Sequence, residues 1–284
     1  MTKRTKGSGS PRDDALVHAA LRGEAAGEPV PSGFPGLDVL LGGGFRRGDL
    51  VVLAGDTAVG KSALALAIAL RVTADNRSAA YLTGEMTVTR VLERALAMEG
   101  RVRVDDFRRG ALDDVAHAGV ATAALSLRER APLCEDLRDA GVAGVSDFLA
   151  QHPGLELTII DSLQCLAQGR LPLHEELADA ARRLKEQALR RSTTILALSG
   201  LAESPAGRAN PRPGLRDLGG MGAITQHADV VLALYREELY EPSRHVEGAA
   251  ELAVLKNRNG PTGFVDLFFY KQWLRFEDML EPDR

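Results

Sequence analysis

The segment Gly55-Asp56-Thr57-Ala58-Val59-Gly60-Lys61-Ser62 constrains this chain more than any other. It fits the pattern GxxxxGK[ST], follows the apolar run Leu50–Ala54 and opens a helical pattern over Ser62–Val72. A strand that turns through glycines into a helix aims backbone N–H groups and a helix N-terminus at one point, which is an anion site. The spacing predicts a phosphate-cradling loop, with Gly55, Ala58 and Gly60 shaping the wrap. Lys61 would reach the β and γ phosphates of ATP, and the Ser62 hydroxyl would coordinate Mg2+. Of the 35 basic residues 29 are Arg and only 6 are Lys, so a lysine at this position answers a need for a compact point charge.

The pattern around the loop alternates. Strand-like runs fall at Leu50–Ala54, Ala79–Leu82, Leu157–Asp161, Thr194–Ser199, Val230–Tyr235, Leu252–Lys256 and Phe264–Phe269. A second helical pattern covers His174–Arg190, with Leu177, Ala181, Leu184 and Ala188 on one face. Alternating strands and helices predict an α/β fold, a mainly parallel twisted sheet with helices on both faces. The last strands succeed one another without helices, which predicts an antiparallel extension at one sheet edge. Ahead of this core, residues 1–12 read as a basic disordered tail, Asp13–Ala26 as a short helix and Gly27–Gly36 as a connector. The expected division is a tail and linker over 1–30 and one ATPase domain over 31–284. No internal repeat is visible, so a tandem array is not expected.

Composition narrows the function classes. With 45% hydrophobic residues the chain is not a disordered one. Its net charge of −4 has the wrong sign for a general nucleic-acid coat, so any such contact must come from a local patch. Cys134 and Cys165 form no CxxC pair and read as reduced thiols rather than a zinc or disulfide framework. The longest helix-like apolar run, Ala63–Leu70, stops far short of the roughly 20 residues that span a bilayer. The basic N-terminus lacks the apolar stretch of a secretory signal. No membrane partner is expected, and a cytoplasmic location is.

Three further groups carry chemistry. Asp161 ends an apolar strand, where a carboxylate either holds the Mg2+ shell beside a phosphate loop or caps the next helix. Glu85 follows the end of the Ala79–Leu82 strand, the first after the phosphate loop, placed either as a general base toward water or as a surface carboxylate. Lys256 and Arg258 sit at i and i+2 near a strand end, so both project from one face. They form either a cationic prong for a γ-phosphate, acting in cis or from a neighbouring subunit, or two solvated charges beside a turn.

These residues resemble a known family. The stretch SGFPGLDVLLGGGFRRGDLVVLAGDTAVGKSALALAIA resembles the start of the RecA-like ATPase core of DnaB-type replicative helicases. LTGEMTVTRVLERALA is similar to that family's SLEMS segment and the helix after it, and IIDSLQ to its IDYLQ Walker B strand. QHADVVLALYREELY and AELAVLKNRNGPTGFVDLFF resemble its closing strands, KNRNGPTG most specifically. The likeness covers about residues 30–280, without the family's separate N-terminal helical domain. It implies a hexameric ATP-driven motor on single-stranded DNA, with a helicase loader or a separate N-terminal-domain partner as possible companions. It implies nucleotide contacts by Lys61, Ser62, Ala63 and Arg94, a catalytic carboxylate at Glu85 and a Walker B acid at Asp161. It further implies that Lys256 and Arg258 act on the ATP of the adjacent subunit.

The chain also departs from the family. Where the family carries a sensor Gln in an SQL segment, this chain has Gly200. Where the DNA-facing loop reads DLRESGSIEQ, the Arg and Glu become Gly219 and Gly220, while Gly222 is kept. Hydrolysis is expected to be intact, and its coupling to DNA is left open by these departures. Between Ser204 and Arg216 the chain carries Arg208, Arg212 and Arg216 without an acid, and Arg170 lies after the Walker B strand. These arginines are candidates for DNA phosphate contacts in a central channel, against the alternative of an ordinary solvated loop. Two other functions stay open: a RecA-, RadA- or KaiC-like ATPase that remodels DNA or signals without unwinding, and a degenerate ATP-binding interaction protein.

Overall fold

The computed structural model of the chain describes residues 27–241 and 246–279. The expected tail and the expected helix over 13–26 lie outside the described residues.

Among the described residues nine strands form one sheet, in the order β3-β2-β4-β5-β1-β6-β7-β8-β9. The phosphate-loop strand β1 (Leu50–Gly55) lies in the middle, parallel to both β5 (Thr194–Gly200) and β6 (Val230–Tyr235). β4 (Leu157–Asp161) and β2 (Ala79–Thr83) continue the parallel half beyond β5. β7 (Ala249–Asn257), β8 (Gly263–Tyr270) and β9 (Arg275–Asp278) then pair antiparallel, as the helix-free tail of the sequence predicts.

β1 shows why the sheet is buried on both sides. Leu50, Val52 and Ala54 enter one apolar cluster, and Val51 and Leu53 enter the other. Alternate residues of a strand face opposite ways, so a continuous apolar run needs cover on both faces. α2 (Lys61–Ala74) and α3 (Val88–Gly100) cover one face. α6 (Gly141–Gln151) and α7 (Leu173–Arg191) cover the other, the latter through the expected stripe of Leu177, Ala181, Leu184 and Ala188.

Several elements escape the sequence reading. The edge strand β3 (Leu133–Asp136) is only four residues long and alternates between exposed and half-buried, so it carries no apolar signal. β9 is equally short. The helices α4 (Val104–Arg109) and α5 (Asp114–Arg130) pack mainly on other helices, and in α5 Ala123 alone is buried. A short α1 (Pro35–Leu40) precedes β1, and α8 (Ala223–His227) precedes β6. Among the described residues no helix is long and apolar enough to cross a membrane.

Candidate nucleotide site

The phosphate loop leaves the carboxyl end of β1, where parallel α/β sheets collect ligands. Gly60 is the N-cap of α2 at φ 109°, and a Cβ there would lie 2.9 Å from the Phe276 ring. Ala58 also adopts a left-handed φ, of 63°. Lys61 Nζ donates to the carbonyls of Gly55 at 2.9 Å and Asp56 at 3.0 Å, folding back along the loop. Burial pushes the Lys61 ammonium below its ordinary pKa, opposed by the charges of Glu85, Asp161 and Asp56. The loop is braced from outside as well. Arg236, almost fully buried, donates to the carbonyls of Ala58 and Val59 at 3.4 Å and lies over the Phe269 ring. Tyr240 reaches Asp56 at 3.1 Å.

A cavity of about 1120 Å³ opens over this loop. Ala58, Gly60, Lys61, Ser62, Ala63, Glu85, Arg94 and Asp161 all line it. Eight positions singled out from widely separated segments are therefore brought to one wall system. Gly55 ends β1 beneath them. Arg94 arrives there because Thr87 caps α3, its hydroxyl accepting from the Arg90 N–H at 3.3 Å, and Arg94 lies about two turns along.

Asp161 is 2% exposed, and the buried Tyr81 hydroxyl donates to its Oδ2 at 2.6 Å. Burial raises the Asp161 pKa, and the hydrogen bonds from Tyr81 and Ser62 oppose that rise. Glu85 is held separately: the Ser162 hydroxyl donates to its Oε1 at 2.6 Å. Neither Tyr81 nor Ser162 is signalled by the motifs, because each reads as an ordinary strand or turn residue. The side chain that sequence reading finds missing at Gly200 also has a neighbour. The Gln164 amide, lining the same cavity, accepts from the Gly200 N–H at 3.4 Å and donates to Ser199 Oγ at 3.2 Å.

The donor set suits a nucleotide-bound divalent ion. Among the described residues no cluster of three or more His, Cys, Asp or Glu could hold a metal alone. One hydroxyl and one carboxylate, Ser62 and Asp161, leave the remaining positions to phosphate oxygens and water, which is how Mg2+ is usually held.

The cationic prong is elsewhere. Asn257 and Lys256 pair with Val230 and Val231, at the start of β6, so the prong sits at the amino end of β1. Six residues of β1 place it about 17 Å from the phosphate loop, beyond the reach of either side chain. Lys256 Nζ donates to the carbonyls of Thr225 and Ala228, at 2.5 and 2.6 Å. Burial and the adjacent Arg258 charge lower the Lys256 pKa, and Asp229 opposes this.

The loop arginines are also placed. Arg208 makes two bonds to Asp217, at 2.8 and 2.9 Å. Arg212 pairs with Glu251 at 2.9 Å and lies over the Tyr235 ring. Among the described residues Arg170 and Arg216 have no acidic partner within ion-pair distance. Gly222 ends a short turn just before α8. Gly219 and Gly220 adopt φ of 65° and 62°, and both line the same cavity. A Cβ at either would sit 3.0–3.1 Å from Ala202 or Ile224, so this loop takes a path that larger residues would strain.

The family profile of the DnaB-like helicase C-terminal domain matches residues 29–278. The chain belongs to that family. The replicative DNA helicase DnaB of Geobacillus stearothermophilus is 32% identical over 264 residues, covering 90% of this chain and 58% of the relative. The replicative DNA helicase DnaC of Bacillus subtilis is 32% identical over 257 residues, covering 88% and 56%. This chain thus spans under three-fifths of the length of these DnaB-type relatives. A solved DnaB-like replicative helicase, described with its interactions with primase, superposes with a TM-score of 0.85 at 26% identity. That superposition covers 99% of this chain and 69% of the solved one.

Proposed function

We propose that the chain is the ATP-hydrolysing motor of a DnaB-like helicase, moving on single-stranded DNA as a ring, most simply a hexamer. The convergence of Lys61, Ser62, Glu85, Arg94 and Asp161 on one cavity carries this reading. Lys61 neutralises charge on the β and γ phosphates of ATP. Mg2+, held by Ser62 and Asp161 together with the phosphates, would offset further charge there. Glu85, oriented by Ser162, takes the proton of the attacking water. Arg94 contacts the nucleotide from α3.

The prong supports a shared active site. It lies at the wrong end of β1 for its own nucleotide, so Lys256 and Arg258 act on the ATP of the adjacent subunit. A head-to-tail ring supplies that geometry at every interface. Arg170, Arg208, Arg212 and Arg216 contact DNA phosphates, with Gly222 in the same loop region. Arg208 and Arg212 must then exchange a carboxylate for a phosphate; both guanidinium side chains are 42–46% exposed, although their partners Asp217 and Glu251 are largely covered. A helicase loader or a separate N-terminal-domain partner, a cytoplasmic location and a single ATPase domain from about residue 31 belong to the same proposal.

A second reading rests on Gly200, Gly219 and Gly220: an ATP-binding ring that no longer couples to DNA. ATPase turnover with and without single-stranded DNA, alongside native mass, separates the two. A ring with DNA-stimulated turnover supports the motor. Turnover indifferent to DNA, or an assembled ring without turnover, overturns it.

A further inference from the structure

The rim of the sheet opposite the phosphate loop holds a buried charge that the motor reading does not use. Asp229 is 4% exposed, between α8 and β6. Its Oδ2 accepts from the Leu50 N–H at 2.8 Å and from Lys185 Nζ at 2.6 Å. Its Oδ1 accepts from Arg258 Nη1 at 3.0 Å. The Arg258 backbone N–H also donates to the Asp229 carbonyl, at 2.9 Å. Arg258 Nη2 donates to the Gln226 carbonyl at 2.8 Å. The two ends of the guanidinium are therefore pinned, one by a carboxylate and one by a carbonyl at the end of α8.

That pinning defines a plane. A guanidinium has five N–H donors in a rigid fork, and two are used here. The side chain stays 48% exposed, so its free donors face outward. Lys256 is fastened to the same helix end through the Thr225 and Ala228 carbonyls, which suits cations at a helix C-terminus. Lys185 is not left to Asp229 alone, because Asp49 lies 3.7 Å from it, and Asp49 itself accepts from Asn259 at 2.6 Å.

We propose that Asp229 is the positioning residue of the Lys256–Arg258 prong, fixing the guanidinium on the end of α8 so that its free donors meet the neighbouring subunit's nucleotide. The proposal rests on the reading that the prong works across the interface. It also places the prong on the helix directly after the Gly219–Gly222 loop, so a shift of that loop moves Arg258.

Asp229→Asn separates positioning from mere support. The amide oxygen will face the two donors on the Oδ2 side, Leu50 and Lys185, and turn its NH2 toward Arg258, where donor meets donor. The buried bonds survive and the Arg258 bond is lost. Turnover should fall about 10- to 100-fold, as when an orienting partner of a functional group is removed. The KM for ATP should stay within about twofold, the sign of an interaction made in the transition state.

The deciding readout is complementation. An Asp229→Asn subunit keeps its own nucleotide site and has a misplaced prong, whereas a Glu85→Gln subunit keeps its prong and lacks its base. Mixed at equal amounts, about one interface in four joins an intact site to an intact prong, and head-to-tail rings should recover up to about a quarter of wild-type turnover. A purely structural defect would not be rescued this way. Arg258→Ala mixed with Glu85→Gln is the control. If the control recovers and the Asp229→Asn mixture does not, Asp229 is not a positioning residue. If neither recovers, the cross-interface reading fails and takes the proposal with it. Should Asp229→Asn fail to assemble by native mass, Asp229→Glu, which keeps the charge and displaces it by one methylene, carries the same complementation test with the same outcomes.

Discussion

Removing one hydroxyl from Tyr81 should weaken the whole site. In Tyr81→Phe the ring keeps its packing, and Asp161 loses its 2.6 Å donor at a position that is 2% exposed. A hydrogen bond to a buried charged acceptor contributes about 1.5–3 kcal/mol, against about 0.5–1.5 for a neutral pair. Taking about 2 kcal/mol as typical, the thermal midpoint should drop by roughly 4–8 °C for a domain of this size. The loss should depend on pH, with a sign set by burial. Burial already raises the Asp161 pKa, so the folded protein holds this proton more tightly than the unfolded chain does. The stability contributed by this group is present below the ordinary carboxylate range and is lost as pH rises through the raised value. The Tyr81 bond offsets that loss, and its removal raises the Asp161 pKa further. The variant should therefore be most destabilised at neutral pH and approach the wild type toward acid. Urea unfolding of both proteins across that range is the assay. A loss below about 0.5 kcal/mol at neutral pH, or one that does not shrink toward acid, would refute a charge-assisted Tyr81–Asp161 bond.

Other variants probe the loop and the chemistry. Gly60→Ala places a Cβ 2.9 Å from the Phe276 ring at a φ of 109°, and thermal denaturation should show a loss of about 1–3 kcal/mol. Arg236→Ala frees the Ala58 and Val59 carbonyls, and calorimetric titration with ATP should show affinity about tenfold weaker, equivalent to about 1.4 kcal/mol. Glu85→Gln should bind ATP as tightly as the wild type while turnover falls by about 10²–10⁴-fold, the effect of a lost general base. Equal losses of binding and turnover would instead assign Glu85 a structural part.

The parts legible in the sequence are those fixed by local rules. Gly55–Ser62 dictates a strand, a turn and a helix by itself, and the Asp161 and Glu85 strands end where parallel sheets gather ligands. The central strands are legible because burial on both faces forces continuous apolar runs, as in Val51–Ala54. The hidden parts depend on partners distant in the chain. Tyr81 looks like any strand aromatic until β2 lies beside β4, 80 positions away in sequence from the Asp161 it serves. Ser162, Gln164 and Arg236 matter only through Glu85, Gly200 and the phosphate-loop carbonyls. The edge strand β3 and the helix α5 make few core contacts, so they leave no periodic imprint. The prong is visible as a pair of charges, but its distance from the phosphate loop emerges only from strand direction and register.

Specific ATPase activity measured across a dilution series, with native mass recorded at each concentration, tests the shared active site most directly. The prong at the far end of β1 predicts that turnover per subunit falls in step with loss of the ring. Undiminished turnover by dissociated subunits would contradict it.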